Sequence, residues 1–337
     1  MKYSFLAKYD CENVESAGKH EAEYESVDSL IKRNYGRING IIILKNGEIA
    51  FEKYYNGFGK ESPNVLMSVT KSFISCLIGI AIKEKGAAFL DASVMEMFPD
   101  KKFSSILFSH ITVRNLLMMN SGILMLPGRN GSEPLAGRMV NSPNWFEFIS
   151  KLRVDASKIG FFTYNSINSH LLSCVISEVT GKNACEYAAE KLPFISKSFV
   201  SKKGIYDLEA IMKDYSFGWH EDRQGNSTGG WGLCLSLRDM ANFGCFYLNR
   251  GIWNGKRIVD EEYLGNSVKK YDEKFDYGYH WWVETVKGMN TFSARGWGGQ
   301  LILCVPEKEM VIAISSKTDS NFNIATSPVN FVKTHIL

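Results

Sequence analysis

Strand patterns lie near both ends of the 337-residue sequence, and the long middle region has helical patterns. Near the N-terminus, Asn46-Gly47 lies between two strand patterns, residues 41–44 and residues 49–54. Residues 41–44 are apolar throughout, so this strand is expected inside a sheet. Asn-Gly between two strands favours a β-hairpin, because both turn residues adopt positive φ. Three more strand patterns follow near the C-terminus, at residues 277–283, 301–305 and 310–314. This order predicts one sheet assembled from both chain ends, with a helical lobe inserted between them.

The most pronounced helical pattern covers residues 68–85. Its side chains are apolar almost all round, which is typical of a helix that is buried on every side. Further helices are predicted at residues 112–119 (with Thr112 as N-cap), 166–181 and 237–248. Residues 123–143 are expected to form a long surface loop, and residues 1–30 an N-terminal arm with a short helix.

Composition and charge exclude several classes of protein. Hydrophobic residues make up 45% of the chain and charged residues 22%, which excludes wholesale disorder. The net charge of +3 is too small to argue for nucleic acid or an acidic membrane surface as a partner. The sequence contains no run of about 18 apolar residues, so no membrane span is expected.

The cysteines and histidines form no recognisable metal motif. The seven cysteines include no Cys-x-x-Cys pair, and the six histidines include no His-x-His or His-Glu-x-x-His pair. We therefore expect no metal site, and the absence of a phosphate loop or dinucleotide fingerprint argues against a cofactor. The first residues contain no apolar stretch long enough for a signal peptide, so we expect a cytoplasmic protein with free thiols.

The segment Ser68-Val69-Thr70-Lys71 is the first candidate for chemistry, at the start of the buried helix. Side chains at positions i and i+3 share one helix face, so Ser68 and Lys71 are expected to be neighbours. A desolvated lysine loses basicity and can take a proton from an adjacent hydroxyl nucleophile. The structural alternative is that Ser68 only caps the helix and Lys71 extends its amine to solvent.

Two other segments carry candidate site residues. In Thr163-Tyr164-Asn165-Ser166, the Tyr164 hydroxyl can point into a cleft, or the ring can be a hydrophobic staple beside a capping residue. The segment 294–300 reads Ala-Arg-Gly-Trp-Gly-Gly-Gln. Its three glycines permit the close backbone approach that an oxyanion hole needs, or form a β-bulge or turn.

The segment Gly225-Asn226-Ser227-Thr228-Gly229 matches Gly-x-Ser-x-Gly, the nucleophile elbow of α/β-hydrolases. That mechanism needs a strand before the serine and a helix directly after it. Here the polar residues 220–224 precede the motif and the glycine-rich residues 229–232 follow it. The sequence therefore favours a glycine-rich loop over a nucleophile at Ser227.

Taken together, the three candidate segments resemble the serine β-lactamase and penicillin-binding-protein superfamily. The resemblance is strongest to its class C-like branch, which includes family VIII carboxylesterases and 6-aminohexanoate-dimer hydrolases. Further matching segments occur in the same order and extend the resemblance over about residues 40–315; they are residues 111–122, 229–233, 237–244, 277–282 and 305–307.

The resemblance implies an α+β, β-lactamase/transpeptidase-like fold, in which an antiparallel sheet is flanked by helices and accompanied by an all-helical lobe. Residues 1–66 and 250–337 are expected to form the α/β lobe. Residues 67–249 are expected to form the mostly helical lobe, with the active site between the two.

The resemblance also implies roles for individual residues. Ser68 would be the nucleophile, and Lys71 and Tyr164 a coupled base. The backbone N–H groups of Ser68 and Trp297 would hold the oxyanion. The remaining candidates for substrate binding are Gly296, Ser166, Asn165 and Arg295.

Two motifs depart from the family pattern. The second motif is commonly Tyr-x-Asn, but Ser166 stands at its third position, so Asn165 is a candidate substitute. The third motif is often Lys-Thr-Gly or His-x-Gly, and here it reads Ala294-Arg295-Gly296. The missing first-position cation argues against activity on penicillins, and Arg295 supplies charge only if its side chain turns inward.

The sequence therefore predicts a serine hydrolase that cleaves a small ester or amide. The alternatives are a β-lactamase or D,D-peptidase and, from another class, a catalytically inactive binding protein on the same scaffold. Aromatic residues are 13% of the chain, and several lie in or beside the motifs. Together with the near-neutral charge, they favour an uncharged substrate. The oligomeric state does not follow from the sequence.

Overall fold

A computed structural model describes residues 21–126, 128, 133–195, 199–319 and 327–337. Residues 1–20 of the predicted N-terminal arm lie outside the described part. Within it, the chain forms twelve helices, fourteen strands and several short 3₁₀ turns.

The helices and strands alternate unevenly along the chain. The helices are α1 (Glu21–Asn34), α2 (Thr70–Lys85), α3 (Val94–Met97), α4 (Val113–Leu117), α5 (Pro134–Val140), α6 (Trp145–Ser150), α7 (Ser166–Thr180), α8 (Ala184–Lys191), α9 (Leu208–Met212), α10 (Leu237–Leu248), α11 (Glu261–Ser267) and α12 (Pro328–His335). The strands are β1 (Ile38–Lys45), β2 (Glu48–Tyr54), β3 (Pro63–Val65), β4 (Ser121–Ile123), β5 (Val154–Ile159), β6 (Ser201–Lys202), β7 (Gly218–His220), β8 (Leu233–Ser236), β9 (Ile252–Trp253), β10 (Lys256–Arg257), β11 (Trp282–Val286), β12 (Met289–Gly296), β13 (Gln300–Val305) and β14 (Met310–Ser316).

The main sheet is antiparallel and has six strands in the order β11-β12-β13-β14-β1-β2. It is therefore assembled from both ends of the chain, as predicted. Ile43 of β1 lies opposite Ile312 of β14 on one side and Phe51 of β2 on the other. The hairpin between β1 and β2 is also confirmed, because Asn46 and Gly47 have φ values of 53° and 78°.

Both faces of this sheet are covered by helices, which explains the continuous apolar run in β1. Ile41 and Ile43 pack in the cluster that contains residues of α1 and α12. Ile42 and Leu44 belong to the larger cluster on the other face, where α10 packs. Because successive side chains of a strand point to opposite faces, a strand covered on both sides must be apolar throughout.

The helix α2 is the centre of the helical part. Every residue from Thr70 to Ile82 is buried. The helices α7, α8 and α11 pack against it. The predicted helix at residues 166–181 is confirmed as α7, whose C-cap Gly181 adopts a left-handed conformation with φ 70°.

The prediction of a surface loop over residues 123–143 is wrong for its second half. Pro134–Val140 forms α5, which buries Leu135 and Met139. Proline at the first helical position and apolar residues four apart explain the helix. The glycines and prolines of this region obscured that pattern, and residues 127 and 129–132 lie outside the described part of the chain.

Two predicted elements have different bounds. The strand predicted at residues 277–283 begins only at Trp282, because Gly278 N–H donates to Trp281 O in a tight turn. The helix predicted over residues 112–119 ends at Leu117. Met119 has φ 57°, and the chain then enters β4.

The division into lobes at residues 66/67 and 249/250 stays a prediction. Most of the described helices fall between these positions, yet α10 packs directly on β1, β13 and β14 of the main sheet. In the described residues, no helix combines the length and apolar character required to cross a bilayer.

His280 joins three helices beneath the start of α2. Its Nδ1 lies 3.0 Å from the carbonyl oxygen of Leu117, so Nδ1 carries the proton and Nε2 accepts from Ser169 Oγ, 3.0 Å away. Its own carbonyl accepts a 2.7 Å hydrogen bond from Ser72 Oγ. Burial, and then the charge of nearby Lys71, lower the pKa of His280 to about 3, so the ring is neutral at physiological pH.

We predict that His280 makes folding stability sensitive to acid. Its folded-state pKa lies below the value of about 6.5 for an unfolded chain, so protonation favours unfolding. Its contribution is complete above about pH 6.5 and is lost as the pH falls towards the folded-state value. Between pH 6 and pH 4, the unfolding free energy of the wild type should fall more steeply than that of His280→Asn, by about 1.4 kcal/mol per pH unit.

Denaturant unfolding at several pH values measures this difference. Asparagine tolerates the positive φ of 61° at this position, so the variant removes the titration without adding backbone strain. The exposed His335→Asn variant is the matched control and should keep the wild-type slope. Equal slopes for the wild type and His280→Asn would contradict the prediction.

Candidate active site

Ser68 lies in a 3₁₀ turn, Met67–Val69, that leads directly into α2. The preceding strand β3 is held by pairing with β8, and Leu66 N–H donates to the carbonyl of Leu233. Met67 has φ 48°, a left-handed conformation that side chains other than glycine rarely adopt. The surrounding pairing therefore holds a strained backbone next to the half-exposed Ser68, and such strain is typical of functional sites.

Lys71 is the central polar group of the site. Its side chain is only 1% exposed, and its Nζ lies among three oxygen atoms. The distances from Nζ are 2.8 Å to Ser68 Oγ, 3.0 Å to Ser166 Oγ and 2.9 Å to the carbonyl oxygen of Gly230. The amine therefore does not reach solvent, in contrast to the structural alternative for the Ser68 segment.

The carbonyl of Gly230 reaches Lys71 because the glycine-rich loop lies tightly against α7. A Cβ at Gly230 would come 2.6 Å from Ser166 Cβ, so only glycine fits there. Gly229 N–H donates to Nδ1 of the buried His170, whose Nε2 lies 3.0 Å from Asp222. The buried His170–Asp222 pair therefore holds the glycine-rich loop whose Gly230 carbonyl contacts Lys71.

Tyr164 lies beside Lys71, immediately before α7. The Nζ atom of Lys71 lies 5.0 Å from the centre of the Tyr164 ring. On its other sides, Tyr164 stacks on Trp282 at 5.8 Å and meets Tyr277 edge-on at 6.1 Å. The three residues Ser68, Lys71 and Tyr164 predicted as catalytic therefore lie together.

Asn165 and Ser166 have different surroundings. Asn165 is the N-cap of α7, since its Oδ1 accepts from Asn168 N–H at 2.8 Å and its Nδ2 donates to Thr163 O at 2.8 Å. Its amide is therefore committed to capping. Ser166, at the position of the family asparagine, is the residue that contacts Lys71.

Glu133 also belongs to this group of residues, although no sequence motif indicates it. Its carboxylate accepts from both the hydroxyl and the backbone N–H of Ser166, and the hydroxyl distance is 2.9 Å. Glu133 is the N-cap residue of α5, within the region predicted as a loop. A single acidic residue 33 positions before its partner carries no local pattern, so only the fold reveals the contact.

The third motif forms the turn between β12 and β13. Gly296 pairs with Gln300, and Gly298 and Gly299 have φ values of 83° and 103°. A Cβ at Gly296 would lie 2.3 Å from the carbonyl oxygen of Leu66, two residues before Ser68. The glycines thus permit both the turn and the close approach of β12 to the Ser68 segment, and Trp297, 37% exposed, begins the turn.

The side chain of Arg295 lies along the sheet. Its guanidinium pairs with Glu284 of β11, and its Nε donates to Ser293 Oγ at 2.8 Å. Its Cζ lies 5.4 Å from the centre of the Trp282 ring. Although burial opposes ionisation of Glu284, Arg295 and Lys333 hold the pKa of Glu284 below its usual value. One ionised carboxylate therefore pairs with two cations, Arg295 and Lys333, and Glu284 holds the guanidinium of Arg295 along the sheet.

The aromatic residues near the motifs divide into a buried group and a partly exposed group. Trp219, Trp231 and Trp281 are buried in the core. Tyr164 and Trp282 are half-buried and stacked, and Trp297 is the most exposed of this group. The exposed parts of these last three side chains present apolar aromatic surface.

Ser227 has a structural role. It is fully buried, and its Oγ accepts a 2.9 Å hydrogen bond from Cys185 N–H, while its carbonyl accepts from Ser173 Oγ. The segment before it is β7, but no helix follows. The described part of the chain also contains no group of three or more His, Cys, Asp or Glu side chains arranged to hold a metal.

The known proteins that are similar to this chain include two hydrolases and a penicillin-binding protein homologue. Curated 6-aminohexanoate-dimer hydrolase of Paenarthrobacter ureafaciens is 24% identical over 298 residues, which cover 81% of this chain and 71% of that protein. A penicillin-binding protein homologue from Pyrococcus abyssi, described as octameric, has a TM-score of 0.65 at 23% identity and covers 95% and 76% of the two chains. A family VIII carboxylesterase has a TM-score of 0.68 at 14% identity and covers 94% and 96%.

The family assignment rests on a match over most of the chain. Residues 27–327 match the family model described as Beta-lactamase. The β-lactamase-like α+β fold and the hydrolase class predicted from the sequence are confirmed. The chain belongs to the Beta-lactamase family.

Proposed function

We propose that the chain is a serine hydrolase that cleaves small uncharged esters or amides through an acyl-enzyme on Ser68. The observation that carries this proposal is the position of Lys71, which is buried and has its Nζ 2.8 Å from Ser68 Oγ. A hydroxyl within hydrogen-bond distance of a desolvated amine is the arrangement that activates a serine nucleophile.

In the acylation step, Ser68 Oγ forms a bond to the substrate carbonyl carbon and its proton passes to the Lys71–Tyr164 pair. The carbonyl oxygen becomes an oxyanion, for which the backbone N–H groups of Ser68 and Trp297 are the donors implied by the motif. When the intermediate collapses, the bond to the leaving group breaks and the pair returns the proton to the leaving oxygen or nitrogen. The product is an ester of Ser68.

Deacylation repeats these events with water. Tyr164 takes a proton from the attacking water while its own phenolic proton passes to Lys71, the new C–O bond forms, and the bond to Ser68 Oγ breaks. Ser68 recovers a proton from the pair, and the acid product leaves. Atoms and charges balance in both steps without a metal or cofactor.

The substrate class follows from the surfaces around Ser68. In the proposed binding cleft, the partly exposed rings of Tyr164, Trp282 and Trp297 favour an apolar acyl or ring-bearing group. Arg295, the cation within the third motif, is held by Glu284, so its guanidinium would have to leave this partner in order to bind an anionic substrate group. The similarity to a 6-aminohexanoate-dimer hydrolase and to a family VIII carboxylesterase supports testing both amides and esters.

We predict that Ser68→Ala abolishes ester hydrolysis, whereas Ser227→Ala retains it. Ser68 supplies the atom that becomes acylated, and Ser227 only accepts a backbone hydrogen bond in the core. Turnover of a p-nitrophenyl short-chain ester and labelling with a fluorophosphonate measure the two outcomes. Hydrolysis that survives in Ser68→Ala and disappears in a folded Ser227→Ala would reverse the assignment.

The same labelling experiment distinguishes an enzyme from an inactive scaffold. A catalytically inactive binding protein would leave the fluorophosphonate unreacted even in the wild type. Wild-type labelling that is absent in Ser68→Ala supports the proposed hydrolase.

We also predict a preference for neutral substrates. The p-nitrophenyl ester of butyric acid should have a kcat/KM at least about fivefold higher than the p-nitrophenyl monoester of succinic acid, because an unpaired carboxylate in the cleft costs about 1–3 kcal/mol. Parallel assays with a chromogenic cephalosporin and a linear amide dimer compare the β-lactamase alternative with the esterase and amidase activities. Faster turnover of the succinic ester or of the cephalosporin would contradict the proposed substrate class.

A further inference from the structure

Ser166 is the one residue that contacts both Lys71 and Glu133 among the hydrogen bonds of the described site. Its Oγ lies 3.0 Å from Lys71 Nζ and 2.9 Å from Glu133 Oε1. Its backbone N–H donates to the second carboxylate oxygen of Glu133. A half-buried carboxylate is therefore connected to the buried amine through a single hydroxyl.

Counting donors and acceptors fixes the direction of these hydrogen bonds. An ionised carboxylate only accepts, so the Ser166 hydroxyl proton points to Glu133 and its oxygen is left to accept from Lys71. The carbonyl oxygen of Gly230 can also only accept. A neutral amine has two N–H donors and one lone pair. Once Lys71 has given up a proton and its two remaining donors are used by Ser166 and Gly230, its lone pair faces Ser68 Oγ, 2.8 Å away.

We propose that Glu133 is a positioning residue that sets the direction of the Ser166 hydroxyl and thereby aims the lone pair of Lys71 at Ser68. This inference rests on the proposed function, because it concerns how Lys71 becomes a base towards Ser68. Glu133 acts through Ser166 and takes no part in bond formation with substrate.

The positioning role requires a carboxylate at residue 133. Glutamine has nearly the same shape, but its side chain ends in one acceptor oxygen and one donor NH₂ group. Ser166 presents two donors, its N–H and its O–H, to the two oxygens of Glu133. In Glu133→Gln, the NH₂ group of the amide would therefore face either the N–H or the O–H donor of Ser166. The variant must accept this donor–donor contact, or the Ser166 hydroxyl must rotate away. In the second case, the hydroxyl proton can occupy the Lys71 lone pair that would otherwise face Ser68.

Three other titratable side chains lie near Glu133, and none of them is a carboxylate that could orient the Ser166 hydroxyl. Lys71 of α2 and Tyr164 before α7 belong to the proposed coupled base. Tyr277 lies against Tyr164. Burial, then Tyr164 and Glu133, raise the pKa of Tyr277 well above its usual value of 10, so this phenol is neutral at physiological pH. Among these groups, Glu133 is the carboxylate that accepts hydrogen bonds from Ser166.

The test is a double-mutant cycle with Glu133→Gln and Ser166→Ala. The measured quantities are the second-order rate constant of fluorophosphonate labelling and kcat and KM for a p-nitrophenyl ester. Glu133→Gln should lower the labelling rate and kcat at least about 30-fold, because it removes general-base alignment, while KM changes less than about threefold. In the Ser166→Ala background, the same substitution should change the rates less than about threefold.

A matched control shows whether the loss of rate is specific to the Glu133 carboxylate or follows from replacing any glutamate by glutamine. Glu209 of α9 is exposed and pairs with Lys213, so Glu209→Gln makes the same chemical change on the surface. It should keep wild-type rates. Thermal unfolding of each variant shows whether Glu133→Gln is folded. If it is not, Ser166→Ala still tests the proposal, because loss of the oriented hydroxyl should itself lower the labelling rate at least about tenfold.

The outcomes separate this inference from the proposed function. Wild-type rates in Glu133→Gln or in Ser166→Ala, or an equal loss from Glu133→Gln in both backgrounds, would overturn the positioning role while Ser68 still reacts. A larger effect on KM than on kcat would also overturn it. If the wild type itself is not labelled at Ser68, the failure belongs to the proposed function.

Discussion

The burial of Lys71 is the constraint on which the rest of the site depends. An amine removed from water is costly unless each of its hydrogen-bonding positions has a partner. Here the partners come from three separate segments, namely Ser68 before α2, Ser166 at the start of α7 and Gly230 in the glycine-rich loop. The hydrogen bonds of this one amine therefore fix the relative positions of the three segments, and they place Ser68 Oγ beside the amine.

The surrounding fold supplies the rigidity that this arrangement needs. The buried His170–Asp222 pair holds the loop of Gly229 and Gly230, and His280 links α2 to α4 and α7. Close approach of Gly296 to the carbonyl of Leu66 brings the end of β12 to the Ser68 segment. Both the loop and the strand use glycine where a side chain would separate the elements, so the glycines are part of the site geometry.

Much of the fold could be predicted from local patterns. The Asn46-Gly47 hairpin, the all-round apolar α2 and the capped α7 each have a short-range physical cause. The helix α5 was missed because its apolar positions lie beside glycines and prolines that favour a loop. The strand expected from residue 277 begins later because a tight turn at Gly278, which tertiary contacts stabilise, overrides the local β pattern.

The site was predictable only where its residues occur in short motifs. Ser68, Lys71 and Tyr164 were identified in this way, and the structure brings them together. Glu133 and the carbonyl of Gly230 were not, because their contacts join residues far apart in sequence and depend on the paths of α5 and the loop. The direction of Arg295 was also open, since pairing with Glu284 on the neighbouring strand depends on the sheet register.

Intact-protein mass spectrometry during turnover tests the central claim, that Ser68 carries the acyl group, most directly. The protein is quenched in acid while it hydrolyses a p-nitrophenyl ester, and the peptide that carries any added mass is identified by digestion. The account predicts a mass increase equal to the acyl group, located on Ser68 and absent after the substrate is consumed. An acyl group located on Ser227 or another residue, or rapid turnover through a mechanism that never acylates Ser68, would contradict it.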